Sequence, residues 1–199
     1  MDTKVTEKQE TKAALLQVGA DMMLEKGYTN TGIQDVLKSL NVTKGSFYHY
    51  FYSKERYALE IIREFNANHS ANLVRILGDS TQTPLTRLKN YCQESKRMLL
   101  SNGCRKGCLI GNLSQEMADQ SEVLRAELSQ VMAKWRDIIA ECIEEGQKSG
   151  EIKNKRAAHD LAELFSAGWA GAILRAKTVK NTESLDIFME LVFEDLLKA

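Results

Sequence analysis

Residues 31–54 read TGIQDVLKSLNVTKGSFYHYFYSK. Ile33, Val36, Leu37 and Leu40 share one face of a short helix, and Thr31 with Gln34 fits a capping box, the Thr hydroxyl taking the N3 amide while the Gln reaches back. Asn41-Val42 breaks that pattern. Thr43 then caps a second short helix, Lys44 to about Phe51, in which Phe47 and Phe51 lie four apart and point inward. Two short helices joined by so tight a break predict a helix-turn-helix, whose second helix enters a major groove about 12 Å wide. Between Val36 and Lys54 the chain carries Lys38, Lys44 and Lys54 and no carboxylate, a local cationic excess that attracts a phosphate backbone. Lys44, Ser46, Tyr48, His49 and Tyr50 are left for the outside, and their polar tips suit hydrogen bonds to phosphates and base edges. Gly45, at the helix start, lets the backbone come close to DNA.

The rest of the 199 residues reads as helix too. Leu15, Val18 and Met22 form one stripe of a helix from Thr6 to Lys26, with Leu16, Gly19 and Met23 beside it. Gly27 then supplies a left-handed stop and Tyr28 folds back as the apolar residue of a Schellman cap. Ser53 caps a helix carrying Tyr57, Ile61 and Phe65 towards Leu77. Thr83-Pro84 restarts one that ends near Ser101, because Pro is tolerated at the first helical position. Cys108–Met117 is a short helix. Asp119 or Ser121 caps a long one that stops at Gly150, roughly 40 Å at about 1.5 Å per residue. Two more helices follow, about Lys155–Lys177 and Ser184–Lys198. Strand alternation and hairpin dipeptides are missing from the sequence, so the expectation is an all-α protein of about nine helices. Its head would be a helix-turn-helix DNA-binding domain, residues 7–53. Residues 54–199 would form a second, larger helical part.

Composition bounds the function. The 27 Lys+Arg balance 27 Asp+Glu, which excludes a histone-like binder but not a local basic face. No apolar run reaches the 18 or so residues of a membrane span. The N-terminal MDTKVTEKQETK is polar and contains acids, unlike a signal or transit peptide, so a cytoplasmic protein with four reduced cysteines is expected. Cys104 and Cys108 lie four apart, but neither another Cys nor any of His49, His69 and His159 adjoins them in sequence, so neither metal nor cofactor is expected. An all-helical enzyme with a nucleophilic Cys needs a base in reach, and no motif links a Cys to His69 or His159. A helical interaction protein would leave residues 43–54 unexplained.

Gly27-Tyr28, Thr31-Gly-Ile-Gln-Asp-Val and Val42-Thr-Lys-Gly-Ser-Phe-Tyr-His-Tyr-Phe-Tyr-Ser-Lys-Glu55 together resemble the DNA-binding signature of the TetR family of bacterial repressors. The resemblance implies a homodimer on a palindromic operator, released by a small-molecule or electrophilic effector, with residues 54–199 supplying a connector helix plus an effector-binding and dimerisation domain. It implies phosphate contacts from Thr31, Thr43, Tyr48, Tyr50 and Lys54, and groove contacts from Gln34, Lys44, Gly45, Ser46 and His49. Lys44 suits guanine O6/N7 and Gln34 adenine N6/N7. Leu37 and Leu40-Asn41 depart from the smaller residues usual in the family, Ala and Ala-Gly.

Two features of the body complete the reading. The helix near Lys155–Lys177 is apolar on nearly all sides, and the last helix has a broad stripe. Gly168, Trp169, Ala172, Phe188 and Val192 are therefore expected in a four-helix dimer interface. Tyr91, Met98, Trp135, Phe165 and Trp169 are candidate lining for an effector cavity. The stretch around Gly107-Cys108-Leu109, with Ala176-Lys177, resembles the NemR branch of the family, which senses electrophiles and oxidants through such a Cys. The resemblance implies Cys108 as a redox-reactive thiol, Lys177 as its charge partner and Cys104 as a neighbour without a clear counterpart. Arg105, Lys106 and a helix start at Cys108 would favour its thiolate.

Overall fold

The computed structural model describes residues 3–198, with side chains described from Lys8 onward. The described residues form nine α-helices: α1 (Thr3–Lys26), α2 (Ile33–Leu40), α3 (Lys44–Phe51), α4 (Lys54–Leu77), α5 (Pro84–Ser101), α6 (Leu109–Met117), α7 (Glu122–Ser149), α8 (Ala158–Val179) and α9 (Glu183–Glu190). None is long and apolar enough to cross a membrane. The signals that start them are those of the sequence. Thr43 accepts from the Ser46 amide (3.3 Å), Ser53 from Arg56 (3.1 Å), Thr83 from Thr86 (3.4 Å) and Ser121, rather than Asp119, from Leu124 (3.2 Å).

Three local expectations are corrected. The capping box at Thr31 does not form: Gly32 is the N-cap of α2, and buried Thr31 turns its hydroxyl back onto the Gly27 carbonyl (2.7 Å). Gly27 does take a left-handed φ of +83° and its amide closes α1 onto Met23. The Tyr28 amide, however, does not complete a Schellman motif; it donates to the Glu116 carboxylate of α6 (2.7 Å). The last helix is not α-helical throughout: after α9 the chain widens into a π-helical segment, Leu191–Leu196. Val192, Phe193 and Leu197 are all buried, and five residues carry a side chain well round a helix of 3.6 residues per turn. The bond from the Leu197 amide to the Val192 carbonyl (2.9 Å) is the wider turn that lets both face the core.

The chain divides into two compact units: residues through Ala67 together with Leu109–Ser129, and Asn68–Cys108 together with Gln130–Ala199. The first is larger than the head outlined from sequence, because α6 and the first turns of α4 and α7 belong to it. Its core is an aromatic wedge in which Phe47, Phe51 and Tyr57 stand 4.7–5.1 Å apart, ring centre to ring centre. The Tyr57 hydroxyl donates to the Leu15 carbonyl of α1. Gly19 makes the approach possible: a Cβ there would meet the Tyr57 ring and come within 2.7 Å of Ile61 Cδ1. The second unit buries Leu73, Leu88, Ile143, Leu161, Phe165 and Phe193, and inside it His69 of α4 lies 4.1 Å from the Trp135 ring.

His69 gives this unit a pH signature. Burial pushes its pKa down from 6.5 to about 4, so the unfolded chain takes up a proton in a range where the folded one does not. A depressed folded-state pKa means stability is complete above about 6.5 and is lost as pH falls towards 4. Lowering the pH from about 7.5 to about 5 is expected to remove about 2 kcal/mol of unfolding free energy, measured by urea titration, and His69→Asn should abolish that slope.

Candidate nucleic-acid interface

The helix-turn-helix presents most of its predicted face to solvent. Gln34 on α2 and Thr43, Lys44, Gly45, Ser46, Tyr48 and His49 around α3 are exposed, whereas Phe47 and Phe51 are fully buried. A helix whose inner edge is locked by two phenyl rings holds its outer edge in one orientation, which direct base readout requires. A Cβ at Gly45 would meet only Thr43 Oγ1, at 4.0 Å, so the α3 backbone is open on that side. Lys44 Nζ lies 5.9 Å from the Tyr48 ring centre, and Lys8 of α1 donates to His49 Nε2 (2.8 Å). Lys8 thus joins the cations of this face, a contribution that its distance in sequence concealed.

Between α2 and α3 lies an open concavity of about 240 Å³ lined by Gln34, Leu37, Lys38, Asn41, Val42 and Lys44. Asn41 explains a departure from the family pattern. It ends α2 with φ +53°, a left-handed conformation that Asn adopts more readily than most residues, so it does the work of a glycine. Tyr52 ends α3 with φ +58° and is 81% exposed. Its position one residue past the apolar pattern gave no sign of this, and it extends the polar-tipped aromatic row beyond Tyr48 and Tyr50.

Three predicted positions are placed otherwise than expected. Thr31 is buried, with its hydroxyl and its amide both committed inside the loop, so it offers no phosphate contact in this conformation. Tyr50 is half-buried. Lys54 is half-buried too: its ammonium donates to the Thr29 carbonyl (3.2 Å) and sits 4.5 Å over the Tyr28 ring, and burial lowers its pKa. Carboxylates near the motif are engaged as well. Asp35 pairs with Lys26 (3.6 Å), and Glu55 accepts from the Ser121 hydroxyl (2.7 Å).

The predicted sensor residues lie at a tight turn. Asn102 Oδ1 accepts from the amides of Arg105 (3.0 Å) and Lys106 (3.4 Å), and Gly103, Cys104 and Gly107 all have positive φ. Cys104 is buried. Cys108 is half-buried and immediately precedes α6, which starts at Leu109. Cys92 and Cys142 are buried thiols whose pKa values burial pushes up, and no disulfide links any of the four. Tyr91 lies beside this turn: burial, then Cys92 and Cys108, raise its pKa. The end of α8 meets the same turn through Lys180, which donates to the Cys104 carbonyl (3.3 Å). Lys177, one turn earlier, has its pKa lowered by burial and then by Lys180.

The residues expected at a dimer interface are buried or half-buried within the single chain. Trp169, Ala172 and Val192 are buried, and Phe188 stands 5.4 Å from the Trp169 ring. A Cβ on Gly168 would come within 2.6 Å of Phe188, so Gly168 serves close packing of α8 on α9. The exposed apolar residues of these helices are others: Leu164 and Leu174 on α8, Ile187 on α9 and Leu191 just after it, with small exposed Ala167 and Gly171 between the leucines of α8. These helices thus carry an exposed apolar stripe beside the expected residues. Met98, a candidate cavity residue, is 66% exposed.

A rigid three-helix support with an exposed, cation-bearing second helix defines a helix-turn-helix DNA-binding protein. Residues 15–61 match the model of bacterial regulatory proteins of the tetR family, and residues 84–192 match the tetracyclin repressor-like C-terminal domain. The chain belongs to the TetR family of transcriptional regulators. It is 38% identical over 183 residues to the HTH-type transcriptional repressor DhaR of Mycobacterium sp. (strain GP1), covering 92% of this chain and 90% of that protein. It is 29% identical over 177 residues to the repressor NemR of Escherichia coli (strain K12), covering 89% of each. A crystal structure of a TetR regulatory protein from Rhodobacter sphaeroides superposes with a TM-score of 0.87 at 35% identity, covering 92% of this chain and 96% of that one. The reduced form of E. coli NemR superposes with a TM-score of 0.87 at 28% identity, covering 92% and 95%.

Proposed function

We propose that this chain is a cytoplasmic repressor that binds a palindromic operator as a homodimer and leaves it when an effector acts on the body. The observation that carries this reading is the outer face of α3, where Lys44, Gly45, Ser46, Tyr48 and His49 are exposed over a locked phenyl pair. Lys44 and Gln34 read base edges, while Thr43, Tyr48, Tyr50, Tyr52 and Lys54 hold phosphates. Two-fold symmetry sets half-sites about one helical turn apart or a multiple of it. DNA binding itself makes and breaks no covalent bond; it is a matter of contacts to phosphates and base edges.

The dimer forms through the exposed stripe of Leu164, Ala167, Gly171 and Leu174 with Ile187 and Leu191. Exposed apolar side chains contiguous on two packed helices call for a partner, and a two-fold copy supplies the same surface. Nothing lies within 4 Å of a Cβ built on Gly171, so two α8 helices can cross closely there. Release is a shift between body arrangements that space the two heads well or badly for DNA. Cys108 is the proposed trigger. It is half-buried just before α6, at a turn of three positive-φ residues, where Lys180 at the end of α8 donates to the Cys104 carbonyl. A second reading, a non-covalent effector, is favoured by the buried Trp169 indole N–H, which has no hydrogen-bond partner among the described residues.

Three measurements test this. Lys54→Ala and Tyr48→Phe should weaken operator and random DNA alike, while Lys44→Ala should relax base preference within each half-site at a cost of about 1–3 kcal/mol in discrimination. Protein that binds no DNA, or binds without a salt slope, would remove the reading. In sedimentation, Leu174→Glu should give folded monomer, whereas Gly168→Leu should keep the dimer face and lose about 1–3 kcal/mol of stability by overpacking against Phe188. Finally, a quinone or hypochlorite should release wild type from DNA and leave Cys108→Ser bound. Equal release of both would exclude Cys108, and release by neither would turn attention to Trp169.

A further inference from the structure

Glu116 is the acidic residue of α6, and nothing in its sequence neighbourhood marks it. In the structure its two oxygens are both used by the loop after α1: Oε2 accepts from the Tyr28 amide and Oε1 from the Thr29 amide, each at 2.7 Å. The carboxylate therefore closes the C-terminal end of α1 where a Schellman bond would otherwise do so. The loop is shaped for it. At Gly27, with φ +83°, a Cβ would sit 2.6 Å from Glu116 Oε2, so only glycine leaves the carboxylate its place. From the other side Lys54 donates to the carbonyl of the same Thr29 (3.2 Å) and covers the Tyr28 ring at 4.5 Å. The Glu116 and Lys54 charges act on each other: burial raises the Glu116 pKa, but the Thr29 and Tyr28 groups and then Lys54 bring it below the ordinary carboxylate range.

We infer that Glu116 is a positioning residue for DNA binding, which fixes the Tyr28-Thr29 segment and, through the Thr29 carbonyl, the Lys54 ammonium at the edge of the helix-turn-helix. The inference rests on the DNA-binding reading above, in which Lys54 holds a phosphate. Lys54 has three donors and spends one on Thr29, which leaves two for a phosphate oxygen. A long flexible lysine tethered at its tip to a held peptide loses less freedom on binding than one in open solvent. The same clamp makes DNA affinity depend on where α6 stands, because α6 carries the carboxylate and α4 the lysine. Asn112, one turn earlier on α6, adds a weaker link by donating to the Leu24 carbonyl of α1 (3.4 Å), away from the 28–29 peptide.

The sign of the effect separates this role from its alternatives. A carboxylate near a phosphate-binding face repels DNA, so if Glu116 were only a surface charge, Glu116→Gln would tighten binding. A purely structural role would lower the melting temperature and leave binding intact well below it. As a positioning residue, Glu116→Gln and Glu116→Ala should each weaken operator binding about tenfold at low temperature. The dimer's salt slope should fall by about two, one phosphate per protomer. Glu116→Asp, which keeps the charge but shortens the reach, should lie between. Lys54→Ala should cost about tenfold in wild type but less than about twofold in the Glu116→Ala background, because the two act as a unit. Asn112→Ala, the matched control, should lower the melting temperature and leave the salt slope unchanged. Tighter binding by Glu116→Gln, an unchanged salt slope, or additive losses in the double variant would overturn the assignment while wild type still binds DNA. Wild type without salt-dependent binding would remove the DNA-binding reading, and this inference with it.

Discussion

The seat of Tyr57 against α1 is the contact on which the head depends. Its ring closes the wedge with Phe47 and Phe51, its hydroxyl satisfies the Leu15 carbonyl, and Gly19 gives it room. Each part makes the next necessary. A larger residue at 19 would push the ring out, and the phenyl pair that orients α3 would lose its third wall. An exposed helix of eight residues is too short to hold itself in water, so the order of the reading face comes entirely from this packing. Leu15 and Gly19 are distant in sequence from Tyr57 and the phenyl pair, yet together they make one object that turns an apolar pattern into a fixed array of polar tips.

The first unit is closed by an element that lies much later in the chain. α6 reaches the α1–α2 loop through Glu116 and the α1 backbone through Asn112, while Ser121 at the start of α7 donates to Glu55 of α4. The covalent path from the Cys104–Cys108 turn into α6 is immediate, since the helix begins one residue later. Within the first unit this short helix ends in the carboxylate that holds the α1–α2 loop.

The C-terminal helices show how an apolar helix divides its surface between its own chain and solvent. α8 is apolar nearly all round, so two faces must be covered. Sequence spacing cannot say which is covered by its own chain. The large aromatics Trp169 and Phe188 go inward because they fill the gap that Gly168 opens between α8 and α9, leaving the smaller stripe of Leu164, Ala167, Gly171 and Leu174 outside.

Residues 31–54 by themselves determined the helix-turn-helix, the start of its second helix at Lys44 and the exposed side chains of Lys44, Ser46, Tyr48 and His49, because helical period, cap chemistry and charge are local properties. The same locality made the nine helices and most of their caps legible, and the family resemblance followed from those residues. What lay beyond reach depended on partners distant in sequence. Thr31 fits a capping box by spacing, but the Gly27 carbonyl one turn behind is the nearer acceptor once α1 ends in a left-handed glycine. The π-helical widening after α9 depends on the core that Val192, Phe193 and Leu197 must all reach. Glu116, Lys8 and Tyr52 carry no local motif; only the packed chain brings the first two to the DNA-facing unit and turns the third outward. Local sequence sets which helices form and what each can offer. Which offer is taken is decided by competition among neighbours, and those neighbours exist only in the tertiary structure.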